Sequence, residues 1–369
     1  MVNNNQPLRV LYVNGGTMDM GGISAYMMNY YRRFDKSRLQ IDFIVHGSYG
    51  VYDDEIIKMG GRVFHIPTKS ENYFKNQSML HQILKSNHYV IIHGHMDGMN
   101  GPLLKSAFHH DIPVRISHSH NIRHLTNNAI KLVFHEIARK QIPEYATDLW
   151  ACSKEAGEWL YGIGRPFQIV PNAIDVSKFR FDLHKRIELR RELSLSGKYV
   201  IGLIGRFDYQ KNQEYLIDAF AKVCSRSNRS ILLLIGDGKD RDKIETQIQN
   251  LGIKNRVILM GARNNVSDLL NVLDLFVMPS RFEGLGIAAI EAQCNGLHCL
   301  LSDNVPDDTK LTGNVETIPL DNQSKWVDAM QELYERDVSA ADAVIERGYD
   351  ISSAAYLLQR KYLEMAERW

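Results

Sequence analysis

Short apolar segments that alternate with amphipathic ones are the feature of this sequence that most restricts its fold. The first series of apolar runs occupies residues 8–13, 39–45, 62–66, 89–93, 114–120 and 148–152. A second series occupies residues 199–205, 231–238, 256–263, 274–278 and 297–302. Strands that alternate with helices predict parallel sheets with helices on both faces. We therefore expect an α/β protein with two similar halves.

The length of the chain agrees with two domains, because 369 residues exceed the usual size of one. The segment 167–179 predicts a strand and a Pro-Asn turn, followed by the beginning of the second half, and we place the hinge there. The expected domains are residues 1–173 and 174–350. Residues 351–369 form a last helix without a following strand, which we expect to cross back and brace the first half.

Composition narrows the class of protein. Apolar residues make up 44% and charged residues 24% of the chain, which is ordinary for a soluble enzyme. The net charge of +1 disfavours a nucleic-acid-binding protein. The four cysteines form no Cys-x-x-Cys pair and are expected to be reduced, buried thiols of a cytosolic protein. We expect no export signal before the first strand and no membrane span.

The segment 279–296 follows an apolar strand and predicts an anion site. Gly284 and Gly286 remove side chains that would keep a phosphate away, and a helix is expected to start near Gly286. The N–H groups at a helix N-terminus are unpaired and carry partial positive charge. The alternative is a capped surface helix with incidental acidic residues.

Two carboxylates, Glu283 and Glu291, belong to this segment. Eight helical residues would separate their backbones by roughly 12 Å, whereas glycoside hydrolases hold their carboxyl groups about 5–9.5 Å apart. Binding roles therefore fit better than a hydrolytic pair. Glu291 could hold a ribose diol, and Glu283 could contact what lies beyond the phosphates.

Two cations, Arg206 and Lys211, follow the first strand of the second half. Cations near a helix-terminus cradle would stabilise the charge that develops on a diphosphate leaving group. A solvated surface pair is the alternative. The run Asp240-Arg241-Asp242 resembles a metal-binding Asp-x-Asp, but it opens a helix, where acidic residues simply complement the helix dipole.

The first half begins with a strand, a Gly-rich loop at residues 14–22 and a helix, which is typical of nucleotide-binding folds. The loop lacks the G-x-G-x-x-G fingerprint, and we interpret it as a flap over a ligand. A plain flexible connection is the alternative.

Polar residues collect at the carboxyl ends of the predicted strands, where ligands bind in such sheets. Four histidines lie there: His93, His95, His118 and His120. Each alone suits a loop or core histidine, but together they suggest one face of a cleft. A catalytic metal is disfavoured, because no carboxylate or cysteine completes a ligand set at metal spacing.

The segment 123–140 is predicted to be a helix with basic ends and an apolar stripe. Such a helix can lie on a membrane surface. An ordinary domain helix is the favoured interpretation.

Together these motifs resemble glycosyltransferase family 4, retaining enzymes of the GT-B fold, over nearly the whole chain. The resemblance rests on five motifs in family order: Glu-x7-Glu at 283–291, GRFDYQKN at 205–212, IVPNAID at 169–175, GDG at 236–238 and MGAR at 260–263. The family often has Gly where Ala173 stands, which would stiffen the hinge. The ending VRISHSHN resembles bacterial exopolysaccharide and capsule transferases.

The resemblance implies two Rossmann-like domains facing a cleft, with the C-terminal helix returning to the first. It implies a retaining transfer of a hexose or N-acetylhexosamine from a nucleotide-sugar, expected to be a UDP-sugar. The expected acceptor is a saccharide or a polyprenyl-diphosphate-linked saccharide, so the enzyme would be cytoplasmic with peripheral contact to the inner membrane face. It implies that retention follows same-face attack assisted by the leaving diphosphate, with no protein nucleophile, no required metal and no other cofactor.

The resemblance also implies roles for individual residues. Arg206 and Lys211 would bind the diphosphate together with the amides of Gly284, Leu285 and Gly286. Glu291 would bind the ribose, Glu283 the transferred sugar, and Gly21 and Gly22 would close over the donor. Gly238 and Arg263 would also contact the donor. His120 would lie at the anomeric carbon, a role that His118 could take instead. His95 and His118 are candidates for the acceptor side.

Two other functions stay open on the sequence. A nucleotide-sugar epimerase or hydrolase of the same fold would need an acid/base set or water in place of an acceptor. A non-catalytic nucleotide-sugar-binding protein would not need the leaving-group cations, so Arg206 and Lys211 argue against it.

Overall fold

The computed structural model describes residues 6–19, 21–124 and 128–369. Strands of the first half are β1 Leu8–Asn14, β2 Leu39–His46, β3 Val63–Ile66, β4 Ile91–His95, β5 Val114–Ser119, β6 Asp148–Ala151 and β7 Gln168–Ile169. Strands of the second half are β8 Tyr199–Ile204, β9 Ser230–Ile235, β10 Val257–Gly261, β11 Leu275–Met278, β12 His298–Ser302 and β13 Val315–Ile318.

Helices connect these strands. Up to the hinge they are α1 Gly22–Arg33, α2 Asp53–Lys58, α3 Tyr73–Asn87, α4 Asn100–Phe108, α5 Ala129–Lys140, α6 Ile142–Tyr145 and α7 Lys154–Tyr161. After it they are α8 Val176–Phe179, α9 Leu183–Glu192, α10 Gln213–Arg226, α11 Arg241–Asn250, α12 Val266–Leu270, α13 Ile287–Cys294, α14 Gln323–Ala329, α15 Ala340–Glu346 and α16 Ile351–Ala366. Short 3-10 helices occupy Asp97–Met99, Lys254–Arg256 and Asp307–Thr309.

The chain forms two compact units, Met1–Ala173 with Asp350–Trp369, and Ile174–Tyr349. In the described part of the first unit, the strands pair in parallel in the order β3-β2-β1-β4-β5-β6-β7. Successive residues of β1 alternate between two hydrophobic cores, Val10 and Tyr12 on one face and Leu11 and Val13 on the other. A parallel sheet buried on both faces requires this nearly continuous apolar sequence.

The last helix, α16, belongs to the first unit, which is the return expected from the sequence. Its apolar residues Ile351, Leu358 and Tyr362 lie one or two turns apart and join the core that covers one face of this sheet. The Asp350 side chain accepts hydrogen bonds from the amides of Ser352 and Ser353 and caps the helix start.

In the described part of the second unit, the strands pair in parallel in the order β10-β9-β8-β11-β12-β13. Ile201 and Leu203 of β8 face one core, whereas Val200 and Ile204 face the other. The predicted parallel sheets are therefore present in both halves.

Several boundaries differ from the prediction. The strand expected at 89–93 runs from Ile91 to His95, so both of its histidines lie within it. The helix expected at 123–140 is observed only from Ala129, where the Asn128 side chain caps it, and residues 125–127 lie outside the described residues. Strand β13 was not predicted, because its sequence VETI is short and partly polar.

Met20 of the Gly-rich loop and residues 1–5, where no export signal was expected, also lie outside the description. Within the described residues the four cysteines form no disulfide, and Cys224 is only partly buried. Within the described residues, no helix combines the length and the apolar character needed to cross a bilayer.

Candidate active site

The sheet order of the second unit creates a crevice between two loops. Strands β8 and β11 are neighbours, but their chains continue to opposite sides of the sheet. Ligands of open α/β sheets bind at the carboxyl ends of strands at such a switch point. The loops that leave these two strands, residues 205–212 and 279–286, contain the predicted donor-site motifs.

The structure brings Lys211 and Glu283 into direct contact in this crevice. The Lys211 Nζ lies 2.6 Å from the Glu283 Oε1, and the Glu283 side chain is 4% exposed. Gln210 Nε2 donates a second hydrogen bond to Glu283 Oε2 at 3.2 Å. The lysine therefore neutralises the carboxylate, and removing either partner leaves a mostly buried charge alone.

Three residues that the sequence analysis missed tie the two loops together. Asn212 lies in the left-handed region, with φ of 58°, and its Nδ2 donates to the Pro279 carbonyl at 3.0 Å. The Arg281 amide donates to the Gln210 carbonyl at 2.8 Å. Asn tolerates the left-handed region better than most residues, so its position just before α10 was a usable signal.

Gly238 is explained by packing in the second unit. A Cβ atom at this position would lie 2.3 Å from the Phe207 carbonyl oxygen. A Cβ atom at Gly236 would lie 2.0 Å from the Gly205 carbonyl oxygen. The GDG motif therefore lets the loop after β9 lie against the loop after β8, and nothing about a ligand is needed to explain these two glycines.

Helix α13 begins as predicted, directly after Gly286. Gly286 has φ of 81°, a conformation that favours glycine. Leu285 is buried, with its carbonyl bound by the Thr309 hydroxyl, and Gly284 is partly exposed. Among the described residues no side chain caps α13, and its first turn holds no acidic residue, so they do not neutralise the positive end of the helix locally.

Glu291 lies in the second turn of α13 and has a perturbed pKa. Part of its surface is exposed, but the protein around the carboxyl group desolvates it and raises its pKa to about 8. No residue of the described chain forms a hydrogen bond or ion pair with this carboxyl group. It is therefore available to a ligand with hydroxyl donors.

The two predicted arginines are exposed. Arg206 has no side-chain partner within the described residues and does not join the contact between Lys211 and Glu283. Arg263 donates from Nε to the Met260 carbonyl at 2.9 Å. Asp240 and Asp242 lie at the start of α11, where acidic residues were predicted to complement the helix dipole.

In the first unit, the Gly-rich loop follows β1 at the switch point between β1 and β4. The Gly21 amide donates to the Asp19 side chain at 2.8 Å, and α1 begins at Gly22. A Cβ atom added at Gly22 would meet no atom of the described residues within 4 Å. Packing among these residues therefore does not explain Gly22, whereas a ligand at the helix N-terminus would.

The four predicted histidines lie side by side, at the carboxyl ends of β4 and β5. His93 Nε2 is hydrogen-bonded to His118 Nδ1 at 3.1 Å, and His95 Nδ1 to His120 Nε2 at 2.9 Å. The chain of bonds continues from His93 Nδ1 to the Tyr362 hydroxyl of α16 at 2.7 Å. All four are buried, and only His120, at 7%, has an exposed fraction above 1%. His95 and His118, predicted on the acceptor side, thus lie beneath the surface.

Burial makes these imidazoles neutral. It lowers the pKa of His120 to about 3 and the pKa values of the other three well below the usual value. Three ring nitrogens of this group have no hydrogen-bond partner within the described residues: His95 Nε2, His118 Nε2 and His120 Nδ1. At neutral pH these histidines therefore cannot supply positive charge.

Nitrogen atoms of His93, His95 and His118 lie within 4.8 Å of one another, close enough to consider a metal ion. The ring planes of His93 and His118 are stacked at an interplanar angle of 9°, and the two rings already share a hydrogen bond. The group contains no carboxylate or thiolate from the described residues. A metal would have to break the existing bond, so the geometry fits a neutral hydrogen-bonded array better.

Known proteins share both the sequence and the fold. The family model Glycosyl transferases group 1 matches residues 185–350, and the model Glycosyltransferase Family 4 matches residues 20–178. The putative glycosyltransferase EpsF of Bacillus subtilis (strain 168) is 32% identical over 317 residues, which cover 82% of this chain and 81% of EpsF. The chain belongs to glycosyltransferase family 4.

Two further comparisons agree with this assignment. An Escherichia coli enzyme, UDP-Gal:alpha-D-GlcNAc-diphosphoundecaprenol alpha-1,3-galactosyltransferase, is 28% identical over 261 residues, 66% of either chain. The crystal structure of Anabaena Alr3699/HepE in complex with UDP and glucose has a TM-score of 0.78 at 17% identity, covering 97% of this chain and 100% of that one. The predicted GT-B fold is confirmed.

The glycosyltransferase also positions His120 through an acidic residue that the sequence analysis did not select. Asp97, in the left-handed region with φ of 48°, accepts hydrogen bonds from the His120 amide at 2.8 Å and from Asn121 Nδ2 at 2.6 Å. Burial raises the pKa of Asp97. The position of Asp97 two residues after a strand-end histidine was the only available signal.

Proposed function

We propose that this glycosyltransferase moves a hexose or N-acetylhexosamine from a UDP-sugar to a saccharide linked to a polyprenyl diphosphate. The product would enter exopolysaccharide or capsule synthesis. The name of the diphosphoundecaprenol galactosyltransferase supports this acceptor class and a UDP-sugar donor, and the UDP bound in the Anabaena structure agrees with that nucleotide. A lipid-linked acceptor would bring the enzyme to the inner face of the membrane.

The contact between Lys211 and Glu283 at the switch point is the observation that carries the proposal. A diphosphate at the N-terminus of α13 would meet the unneutralised end of the helix and the Lys211 ammonium. The exposed Arg206 would supply a second cation. The unpaired Glu291 carboxyl would accept hydrogen bonds from the ribose, and Glu283, once its lysine turns to the phosphates, would bind the sugar.

The mechanism that fits these groups needs no protein nucleophile and no metal. The bond between the anomeric carbon and the diphosphate breaks as an acceptor hydroxyl approaches the same face. The hydroxyl proton passes to the departing phosphate oxygen, and the configuration is retained. Lys211, Arg206 and the helix amides stabilise the charge on the leaving group. A neutral His120 would orient the sugar rather than transfer a proton.

A binding screen followed by a transfer assay tests this function. We expect one UDP-sugar to raise the melting temperature of the folded protein while GDP-sugars at equal concentration do not. That UDP-sugar should then be consumed only with a lipid-diphosphate saccharide, and NMR of the product should show the anomeric configuration of the donor. Absence of binding by every UDP-sugar in a folded sample would contradict the proposal.

A further inference from the structure

Helix α5 exposes its apolar side chains. Four large apolar residues project into solvent, with exposed fractions of 69% for Ile130, 59% for Val133, 64% for Phe134 and 53% for Ile137. Their spacing of three and four residues puts them on one side of the helix, here called the α5 stripe. In this twelve-residue helix of the described chain, only Ala138 is fully buried.

The opposite side of α5 carries polar residues that contact the first unit. Glu136 Oε1 lies 2.6 Å from His124 Nε2, and Arg139 Nη1 donates to the Trp159 carbonyl at 2.8 Å. Ala138 lies so close to α4 that a Cβ atom at Gly101 would be 1.9 Å from its carbonyl oxygen. An ordinary domain helix buries its apolar side, whereas α5 packs within its unit but leaves these four apolar side chains exposed.

The charges beside the α5 stripe are positive. Lys131 near the start of the helix and Lys140 at its end are exposed. The one acidic residue in the sequence of α5 is Glu136, which already pairs with His124 and Arg139. A surface with apolar residues and basic ends matches an anionic lipid leaflet.

We propose that the α5 stripe inserts into the headgroup region of an anionic bilayer leaflet, with Lys131 and Lys140 against lipid phosphates. A second copy of the chain fits less well. Antiparallel pairing of two α5 helices would put Lys131 next to Lys140 without an unpaired carboxylate between them. The inference rests on the proposed function only in that a lipid-linked acceptor gives the enzyme a reason to be at the bilayer.

Vesicle co-sedimentation tests the docking surface directly. The full-length protein is mixed with vesicles of phosphatidylcholine alone or with added phosphatidylglycerol. We expect binding only with phosphatidylglycerol and weaker binding at high salt. The double variant Ile130→Ser with Phe134→Ser should bind about tenfold or more weakly, because two large apolar side chains no longer leave water. Leu333→Ser is the matched control, since Leu333 is 84% exposed in the other unit.

The outcomes separate this inference from the proposed function. Equal vesicle binding by the double variant and the parent, with both folded, would overturn the docking surface. A parent dimer that the double variant dissociates, without vesicle binding, would assign the stripe to a second copy instead. If the enzyme transfers sugar to a lipid-linked acceptor in detergent but does not bind vesicles, the proposed function is supported and the docking surface is contradicted. If the double variant binds vesicles more weakly than the parent but the parent shows no transfer, the docking surface is supported and the proposed function is contradicted.

Discussion

The ammonium group of Lys211 lies 2.6 Å from a carboxylate oxygen of Glu283, although the two residues are 72 positions apart in the chain. The pair joins the loop after β8 to the loop after β11. Each residue is expected to bind a different part of the donor, and in this structure the two neutralise each other. Donor phosphates would compete with Glu283 for the lysine.

We expect Lys211→Ala and Glu283→Ala each to lower kcat/KM by about 10²-fold or more, because each removes a group proposed to contact the donor. Each should also lower the free energy of unfolding by about 1–3 kcal/mol, since the remaining charge loses its partner. Steady-state kinetics and chemical unfolding measure the two effects, and Lys198→Ala, at an exposed lysine of the same unit, is the control.

The double variant Lys211→Met with Glu283→Gln distinguishes a catalytic pair from a structural one. Removing both charges should recover much of the lost stability while activity stays low. Recovery of activity together with stability would show that the pair only fastens the two loops.

Donor affinity should rise with pH because of Glu291. Its pKa of about 8 keeps much of the carboxyl group protonated at pH 7, whereas ribose hydroxyls donate best to the ionised form. Affinity for a UDP-sugar, whose diphosphate diester does not titrate in this range, should increase from pH 6.5 to about 8 and then level off. Calorimetry in buffers of different ionisation enthalpy should detect release of a proton on binding.

Glu291→Gln should bind the UDP-sugar more weakly at pH 8.5 and without this pH dependence. The pH dependence that Glu291 gives to the free energy of unfolding has the opposite sign to the pH dependence of donor affinity. The folded protein keeps a proton that the unfolded chain releases near the usual carboxyl pKa, so the parent loses stability as pH rises toward about 8. A pH-independent affinity in the parent would exclude Glu291 as a ribose ligand.

Two predicted donor-site glycines should respond differently to alanine. Gly238→Ala should lower the free energy of unfolding by about 1–3 kcal/mol, because the added Cβ would lie 2.3 Å from a backbone oxygen. Gly22→Ala should leave stability unchanged or slightly higher, since its Cβ would meet no atom of the described chain within 4 Å and Gly is a poor helix former. Thermal unfolding and donor KM measure the contrast. A normal KM in Gly22→Ala would contradict a ligand contact there.

The buried histidines should make the protein sensitive to acid. The pKa values of His93, His95, His118 and His120 are lowered in the folded state, so the unfolded chain binds protons that the folded state excludes. The contribution of these histidines to the free energy of unfolding should be largest above about pH 6.5 and be lost as pH decreases below it. Urea unfolding from pH 5 to 8 measures this slope.

His118→Asn should flatten the pH profile, whereas His109→Gln, at an exposed histidine, should not. A profile that is flat between pH 5 and 6.5 in the parent would mean that these histidines are not held neutral.

Transfer should not depend on a metal ion. Treatment with EDTA followed by gel filtration should leave kcat and the melting temperature unchanged, because Lys211, Arg206 and the α13 terminus are proposed to neutralise the leaving diphosphate. Elemental analysis of the purified enzyme tests whether the histidine cluster binds a metal ion. A stoichiometric transition metal, lost together with stability on chelation, would contradict the neutral array.

The sequence alone determined the fold class and most of the candidate site. Apolar runs of about strand length mark β1, β2, β8 and β9, because a strand buried on both faces must be apolar at nearly every position. Glycine and helix-forming residues located α13 and its start at Gly286, since both signals are local. Boundaries shifted where polar and apolar residues mix, as at β4.

Only the tertiary structure decided which residues meet and which way each surface faces. The pairing of Lys211 with Glu283 and the bond from Tyr362 to His93 join segments separated by 72 and 269 positions. The burial that raises the pKa of Glu291 and lowers that of His120 comes from the whole unit around each group. The sequence also showed the apolar stripe of α5, but periodicity gives the same stripe to a helix facing the core and to one facing outward. The packing of Ala138 against α4 fixes that orientation.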